Sequence, residues 1–93
     1  MSYEIKPTSR FQKDVKRCQK RGCDMALLTD VIKRLAAGEQ LDAAYRDHPL
    51  TGRYRACREC HIEPDWLLVY EIDGGTLILY LMRTGTHSDL FGG

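Results

Sequence analysis

The chain has 93 residues, a formal net charge of +1, 43% apolar residues and 29% charged residues. These values predict a globular protein in which residues 1–93 form a single domain around one small core. No run reaches the roughly 18 apolar residues that span a membrane, and the N-terminus lacks the apolar segment of a signal peptide, so we expect a cytoplasmic protein that binds no membrane.

The first predicted elements are a strand and a helical hairpin. Residues 3–7 alternate as a strand does, and Ser9 followed by Gln12 is a capping-box pattern that starts a helix. Gly22 fits the end of that helix, and Asp24 can cap a second one. Because about two residues separate the helices, they are predicted to pack as an antiparallel hairpin.

The second half of the chain predicts a long loop followed by three strands. Residues 39–52 show no clear period, and the strands are predicted at residues 53–60, 66–72 and 76–83. The order β-α-α-β-β-β predicts an α+β fold in which the helical hairpin packs on a mainly antiparallel twisted sheet. The face of the last strand that carries Tyr80 and Met82 could bind bases or a partner peptide, or it could form a second small core under the loop.

The first helix carries a concentrated positive charge. The segment between positions 10 and 21 contains one acidic residue, Asp14, and six basic residues: Arg10, Lys13, Lys16, Arg17, Lys20 and Arg21. Such a segment can attract polyanions although the whole chain is nearly neutral. An ordinary solvated helix face explains the same charges equally well.

Four cysteines raise the question of a haem or zinc site. Cys57 and Cys60 followed by His61 match the string for haem attachment, and together with Cys18 and Cys23 they could be counted as a zinc quartet. In a strand, however, side chains three positions apart point to opposite faces, and roughly 10 Å separates their backbones. We therefore expect reduced cysteines that pack in the interior, since cytosolic thiols mostly stay reduced.

Three histidines lie in polar, turn-prone segments. His48 precedes a proline, His61 precedes Ile-Glu-Pro-Asp-Trp, and His87 follows Arg-Thr-Gly-Thr. Imidazole has an unperturbed pKa of about 6.5, so it can both give and take protons near neutrality. Several such rings beside Asp65 would form an acid–base site, although a surface or half-buried position is the default explanation for any one of them.

Cleavage of RNA without a metal needs a base for the ribose 2′-hydroxyl, a cation for the charged phosphorane and an acid for the leaving 5′-oxygen. A histidine pair can supply the base and the acid, and arginine suits phosphate oxygens because its planar fork donates two hydrogen bonds. Arg58 and Arg83 are predicted to converge on the phosphate. Asp65 could orient a histidine or act as a base, although it could also be a turn residue after Pro64.

Trp66 and Phe91 are the aromatic candidates for stacking on bases, which contributes roughly 1–3 kcal/mol per base. Trp66 begins an apolar run, so packing in the core is the stronger explanation for it. Phe91 is followed by two glycines. It either pins the chain end to the core or contacts a ligand.

Four segments, taken in order, resemble the YafQ branch of the RelE superfamily of toxins. They are Arg-Asp-His-Pro-Leu at 46–50, His-Ile-Glu-Pro-Asp-Trp at 61–66, Arg-Thr-Gly-Thr-His at 83–87 and Leu-Phe-Gly at 90–92. Phe-Gln-Lys-Asp-Val at 11–15 adds to the match. The resemblance covers nearly the whole chain and implies a RelE-like fold.

The resemblance implies a ribosome-dependent endoribonuclease that cuts messenger RNA in the decoding site, leaves a 2′,3′-cyclic phosphate and needs neither metal nor cofactor. It further implies a cognate antitoxin, the ribosome with bound mRNA as substrate complex, and binding to operator DNA only through the antitoxin. The implied catalytic residues are His48, His61, Asp65 and His87, with His87 as general acid. The predicted RNA contacts are Arg58, Trp66, Arg83 and Phe91.

Two other functions fit the same residues. The fold could be a non-catalytic module that binds a protein partner. Alternatively, the three histidines and Asp65 could hold a zinc ion, since their types are acceptable ligands. Their long, irregular spacing gives the metal site no independent support.

Overall fold

Two layers, a helical pair and a five-stranded sheet, form the computed structural model, which describes residues 2–92. The strands are β1 (Glu4–Pro7), β2 (His48–Pro49), β3 (Arg58–Glu63), β4 (Trp66–Asp73) and β5 (Ile78–Gly85), and the helices are α1 (Ser9–Lys20), α2 (Met25–Ala36) and α3 (His87–Phe91). Single turns of 3₁₀ helix lie at Ala43–Tyr45 and Gly52–Tyr54. The predicted α+β fold is confirmed. Within residues 2–92, no helix has the length and apolar character needed to cross a membrane.

The strand order in the sheet is β1-β5-β4-β3-β2. β1 pairs with β5 in parallel, and the other three pairings are antiparallel, which confirms a mainly antiparallel sheet. The first and last strands of the chain are therefore neighbours. This arrangement lets α1 pack against β5, next to the segment that leads into α3.

Side-chain caps fix both helices of the hairpin. The Thr8 hydroxyl accepts a hydrogen bond from the Phe11 backbone N–H at 3.2 Å, so Thr8 is the N-cap of α1 and the prediction of Ser9 as the cap is wrong by one residue. The same hydroxyl donates to the Leu81 carbonyl at 3.0 Å, which ties the start of α1 to β5. Asp24 caps α2, as predicted.

The strand predicted at residues 53–60 is wrong at its start. Gly52 has a φ of +65° and begins a 3₁₀ turn, and β3 starts only at Arg58. That strand then continues to Glu63. His61 therefore lies inside a strand instead of in the turn that follows it.

The last strand also starts later than the predicted Thr76. The Asp73 side chain accepts hydrogen bonds from the N–H groups of Gly75 and Thr76 at 3.0 and 3.2 Å, and Leu77 has a φ of +58°. These features extend the turn, so β5 begins at Ile78. Helix α3 was not predicted, and it follows this strand directly.

Two hydrophobic clusters lie on the two faces of the sheet. The main core joins the helices to the sheet and contains Phe11, Cys18, Leu28, Val31, Leu35, Cys60, Trp66, Leu68, Tyr70, Leu79 and Leu81. The second core contains Cys57, Leu67, Val69 and Leu90, with Leu50, Tyr54 and Met82 packed against it. A second small core therefore occupies the face of β5 that carries Met82. Cys57 and Cys60 point to opposite faces, as predicted, and all four cysteines are free thiols.

Candidate active site

The three histidine rings form a row on the face of the sheet that carries the second core. The ring centroids are 6.3 Å apart for His48 and His61 and 5.9 Å apart for His61 and His87. β2, β3 and α3 contribute one ring each. His61 reaches this face because its neighbour Cys60 points into the main core and side chains alternate along a strand. The structure thus brings together the histidines that the sequence indicated.

Glu59 lies beneath two of these rings, and the sequence analysis missed it. Its carboxylate is buried, with Oε2 placed 3.1 Å from His48 Nε2 and 3.9 Å from His61 Nε2. Within the described part of the chain, Oε1 has no hydrogen-bond partner. The one signal available in the sequence was the spacing of two residues between Glu59 and His61, which puts both side chains on one face of a strand.

The hydrogen bonds of His48 determine where its protons lie. Nδ1 is 2.7 Å from the Arg46 carbonyl oxygen, which can only accept, so Nδ1 carries a proton. Its other ring nitrogen, Nε2, faces the buried Glu59 carboxylate, with Oε2 at 3.1 Å. His61 Nδ1 likewise faces the Pro64 carbonyl oxygen at 3.3 Å.

His87 is the most exposed of the three histidines and pairs with Asp65. Oδ1 of Asp65 lies 3.3 Å from both the backbone nitrogen and Nδ1 of His87. This contact favours the tautomer with a proton on Nδ1. Nε2 makes no hydrogen bond with any residue in the range 2–92, so it remains available at the surface.

Phe91 forms an aromatic wall at one end of the histidine row. Its ring centroid is 6.2 Å from that of His87, and it meets Tyr54 edge to face at 5.9 Å. Phe91 is 45% exposed, so the rest of the molecule covers its ring only in part. The structure therefore leaves a ring surface beside His87 on which a base could stack.

Arg58 and Arg83 are each held by a different carboxylate, and their convergence on the phosphate stays a prediction. Arg58 Nε donates to Asp47 Oδ1 at 2.8 Å, on the helix side of the sheet. Tyr70 donates to the other oxygen of Asp47. Burial, followed by this bond, raises the pKa of Tyr70. The hydrogen bonds from Arg58 and Tyr70 fix Asp47, the residue that precedes His48.

Arg83 is buried between α1 and β5. Its Nε and Nη2 donate to Asp14 at 2.7 and 3.1 Å, and 7% of the residue is exposed. The hydrogen bond to Asp14 raises the pKa of Arg83. This position gives Arg83 a structural partner, and its predicted contact with RNA stays a prediction.

Trp66 lies in the main core. Its indole N–H donates to the Thr84 hydroxyl at 2.9 Å, and that hydroxyl donates to the Leu67 carbonyl at 2.7 Å. Only 5% of the residue is exposed, so the core-packing explanation is confirmed. Its predicted contact with RNA would need a ring face that this structure does not expose.

An open cleft of about 450 Å³ lies beside the histidine row. It is lined by Ala44, Tyr45, Arg46, His61, Ile62, Glu63 and Pro64. Among residues 2–92, no three His, Cys, Asp or Glu side chains are arranged to hold a metal ion. The histidine row therefore borders an open cleft at the surface.

Together these features define a small α+β protein with clustered histidines and carboxylates at the open edge of its sheet. A family model described as the YafQ bacterial toxin of type II toxin–antitoxin systems matches residues 3–92. The chain belongs to this family.

Similar proteins of known structure support the assignment. The mRNA interferase toxin YafQ of Escherichia coli K12 is 41% identical over 90 residues, which cover 96% of each chain. The toxin in the E. coli DinJ–YafQ complex superposes with a TM-score of 0.90 at 40% identity, covering 99% of this chain and 100% of that one. A metal-bound toxin from Helicobacter pylori gives a TM-score of 0.90 at 44% identity, covering 98% and 100%.

Proposed function

We propose that the protein is an mRNA interferase: a ribosome-dependent endoribonuclease that cuts messenger RNA in the decoding site of the cytoplasmic ribosome. The observation that supports this proposal most is the row of three histidine rings, each with a nearby carboxylate. Such a row can hold and release protons at two separate points along a bound phosphodiester. The name of the E. coli relative, an mRNA interferase toxin, agrees with this chemistry.

In the proposed reaction, the ribose 2′-oxygen attacks the adjacent phosphorus and the bond to the 5′-oxygen breaks. The His48–His61 pair takes the 2′ proton, with Glu59 sharing it. His87, held by Asp65 through Nδ1, acts in its doubly protonated form and gives the Nε2 proton to the leaving 5′-oxygen. The products are a 2′,3′-cyclic phosphate and a 5′-hydroxyl, and no step needs a metal or a cofactor.

The charge of the phosphorane requires a cation near the row. A protonated His48 would be one such cation, since Arg58 and Arg83 already bind Asp47 and Asp14. A guanidinium has five N–H donors, so both arginines could still contact RNA as predicted. Phe91 would stack on a base beside His87, whereas Trp66 would support the site from the core.

Dependence on the ribosome follows from the open shape of the site. The cleft is shallow and His87 is exposed, so the protein alone offers little to orient an RNA chain. Held by the ribosome, the message would arrive in a geometry ready for attack, which can contribute about 7–11 kcal/mol. Four exposed basic residues of α1 would bind ribosomal RNA phosphates: Arg10, Lys13, Lys16 and Lys20.

A cognate antitoxin is the second proposed partner. The solved E. coli relative is a toxin–antitoxin complex of YafQ with DinJ. We infer a corresponding antitoxin for this chain, which would cover the histidine row. Operator DNA would be bound only through that antitoxin.

The test is primer-extension mapping of cuts in a translated message, with and without ribosomes, and with toxin that was treated with EDTA and desalted before addition. We expect cuts that require ribosomes, persist with the EDTA-treated toxin and fall about 10²–10⁴-fold in rate for His87→Ala. The control Lys33→Ala alters an exposed residue of α2 and should cut normally. The EDTA arm matters because the H. pylori relative is metal-bound. If folded, antitoxin-free protein makes no cuts on ribosomes, the non-catalytic binding module is the correct function.

A further inference from the structure

Helix α3, which carries His87, is too short to be stable by itself. It spans five residues, His87–Phe91. Isolated helices shorter than about 12 residues are marginal in water. Contacts with the rest of the molecule must therefore fix its position. Leu90 supplies one of them, since its side chain is buried in the second core.

Asp89 supplies another contact. Its Oδ2 accepts the Thr86 N–H at 3.0 Å, and the Thr86 hydroxyl accepts the Asp89 N–H at 3.1 Å, which completes a capping box. The same carboxylate accepts a hydrogen bond from each terminal nitrogen of Arg21: Nη1 donates to Oδ2 at 2.6 Å and Nη2 donates to Oδ1 at 3.1 Å. Arg17 Nε lies 3.8 Å from Oδ2. Arg17 of α1 and Arg21, which directly follows this helix, thus hold an acid of α3.

Packing and charge both favour this geometry. A Cβ atom at Gly85 would lie 2.9 Å from Oδ2 of Asp89, so the approach depends on glycine there. The hydrogen bond from Arg21 holds the pKa of Asp89 well below its usual range, which keeps the carboxylate charged. Arg17 is itself anchored, because its Nη2 donates to the buried Asp14 at 2.9 Å.

We propose that Asp89 and Arg21 are positioning residues for His87 in RNA cleavage, an inference that rests on the proposed function. The His87 side chain is 54% exposed, and its two hydrogen-bond distances to Asp65 are long, at 3.3 Å. The backbone of α3 therefore decides where the ring lies. A misplacement of about 1 Å can reduce a reaction rate about 10²-fold. The ion pair between Arg21 and Asp89 prevents such a displacement of α3.

The experiment compares Arg21→Ala with Lys33→Ala, which removes one exposed positive charge from α2. For Arg21→Ala we expect the single-turnover cleavage rate on ribosomes to fall about tenfold or more, with ribosome affinity changed less than about threefold. Arg21→Lys should recover part of the rate, because lysine replaces the charge but not the bidentate fork. A rate equal to that of Lys33→Ala, or a loss confined to ribosome affinity, overturns the proposal.

Hydrogen exchange on the free toxin separates failure of this inference from failure of the proposed function. In Arg21→Ala, the amides of Asp89 and Leu90 should exchange about tenfold faster, and those of β4 should keep their protection. Unchanged α3 amides with normal cleavage by the wild type overturn the positioning role alone. Faster α3 amides in a protein whose wild type never cuts RNA overturn the proposed function and leave only the structural anchor.

Discussion

Glu59 holds a carboxylate in a setting that folding by itself does not favour. Its Oε1 is buried without a hydrogen-bond partner among the described residues, which costs about 1–3 kcal/mol. Its Oε2 faces the Nε2 atoms of His48 and His61. Such a cost is commonly retained where activity depends on the group.

Glu59→Gln should therefore separate stability from activity. The amide keeps the shape of the side chain but removes the buried charge, and the His48 side chain is 46% exposed, so water can solvate it. We therefore expect the free energy of unfolding in urea to stay the same or rise. The cleavage rate on ribosomes should fall about tenfold or more, because the carboxylate that faces His48 Nε2 is lost. Glu71→Gln, on the neighbouring strand, is the matched control. A less stable variant that cleaves normally would make Glu59 a structural residue.

For single residues, the sequence reveals which side chains are present but not which side chains they contact. The three histidines were identified because imidazole in polar, turn-prone segments is informative by itself. Arg83 was assigned to phosphate because its partner, Asp14, lies 69 positions earlier in the chain. Glu59 went unnoticed because a single acid in a strand has many ordinary roles.

Hydrogen bonds to Asp14 join helix α1 to strand β5. Its carboxylate accepts hydrogen bonds from Arg83, Arg17 and the backbone N–H of Thr84. Only 3% of the residue is exposed, so the charge is compensated by these donors and not by water. Breaking a buried pair leaves a charge without compensation.

Asp14→Asn should lower the free energy of unfolding by about 3–5 kcal/mol, because the buried Arg83 loses its counter-ion. Asp30→Asn is the control, since Asp30 pairs with Arg34 at the surface of α2 and its loss should change the stability far less. Urea denaturation followed by circular dichroism measures both. Equal losses in the two variants would show that the buried pair adds nothing beyond a surface pair.

The elements that were predicted wrongly share a physical cause. Long periodic helices and the strand at Trp66–Asp73 are apparent in the sequence because many residues repeat one pattern. The 3₁₀ turn at Gly52–Tyr54 and the five-residue helix α3 have no such repeat. Tertiary contacts determine both: Tyr54 packs on the second core, and Asp89 binds Arg21.

For the whole molecule, the site exists only when the chain is folded. The loop before β2, strand β3, the turn after it and helix α3 each contribute part of it. The second core holds these parts together beneath the histidine row, through Cys57 in the approach to β3 and Leu90 in α3. A probe of that core therefore reports on the integrity of the site.

The free cysteines provide such a probe. Burial raises the pKa of Cys60 to about 12 and that of Cys18 to about 11, and it also raises the pKa of Cys57. The thiolate is the reactive form, so at pH 8 roughly one Cys18 in 10³ and one Cys60 in 10⁴ is reactive even before access is considered. Cys23 is only half-buried.

Alkylation by iodoacetamide at pH 8, followed by mass spectrometry, should therefore modify Cys23 rapidly and the other three thiols only as the molecule unfolds. In Cys23→Ser we expect no rapid modification, and in urea above the unfolding midpoint all remaining thiols should react. Rapid modification of the folded Cys23→Ser protein would mean that one of the two cores opens without global unfolding. Modification at Cys57 would locate that opening beneath the histidine row.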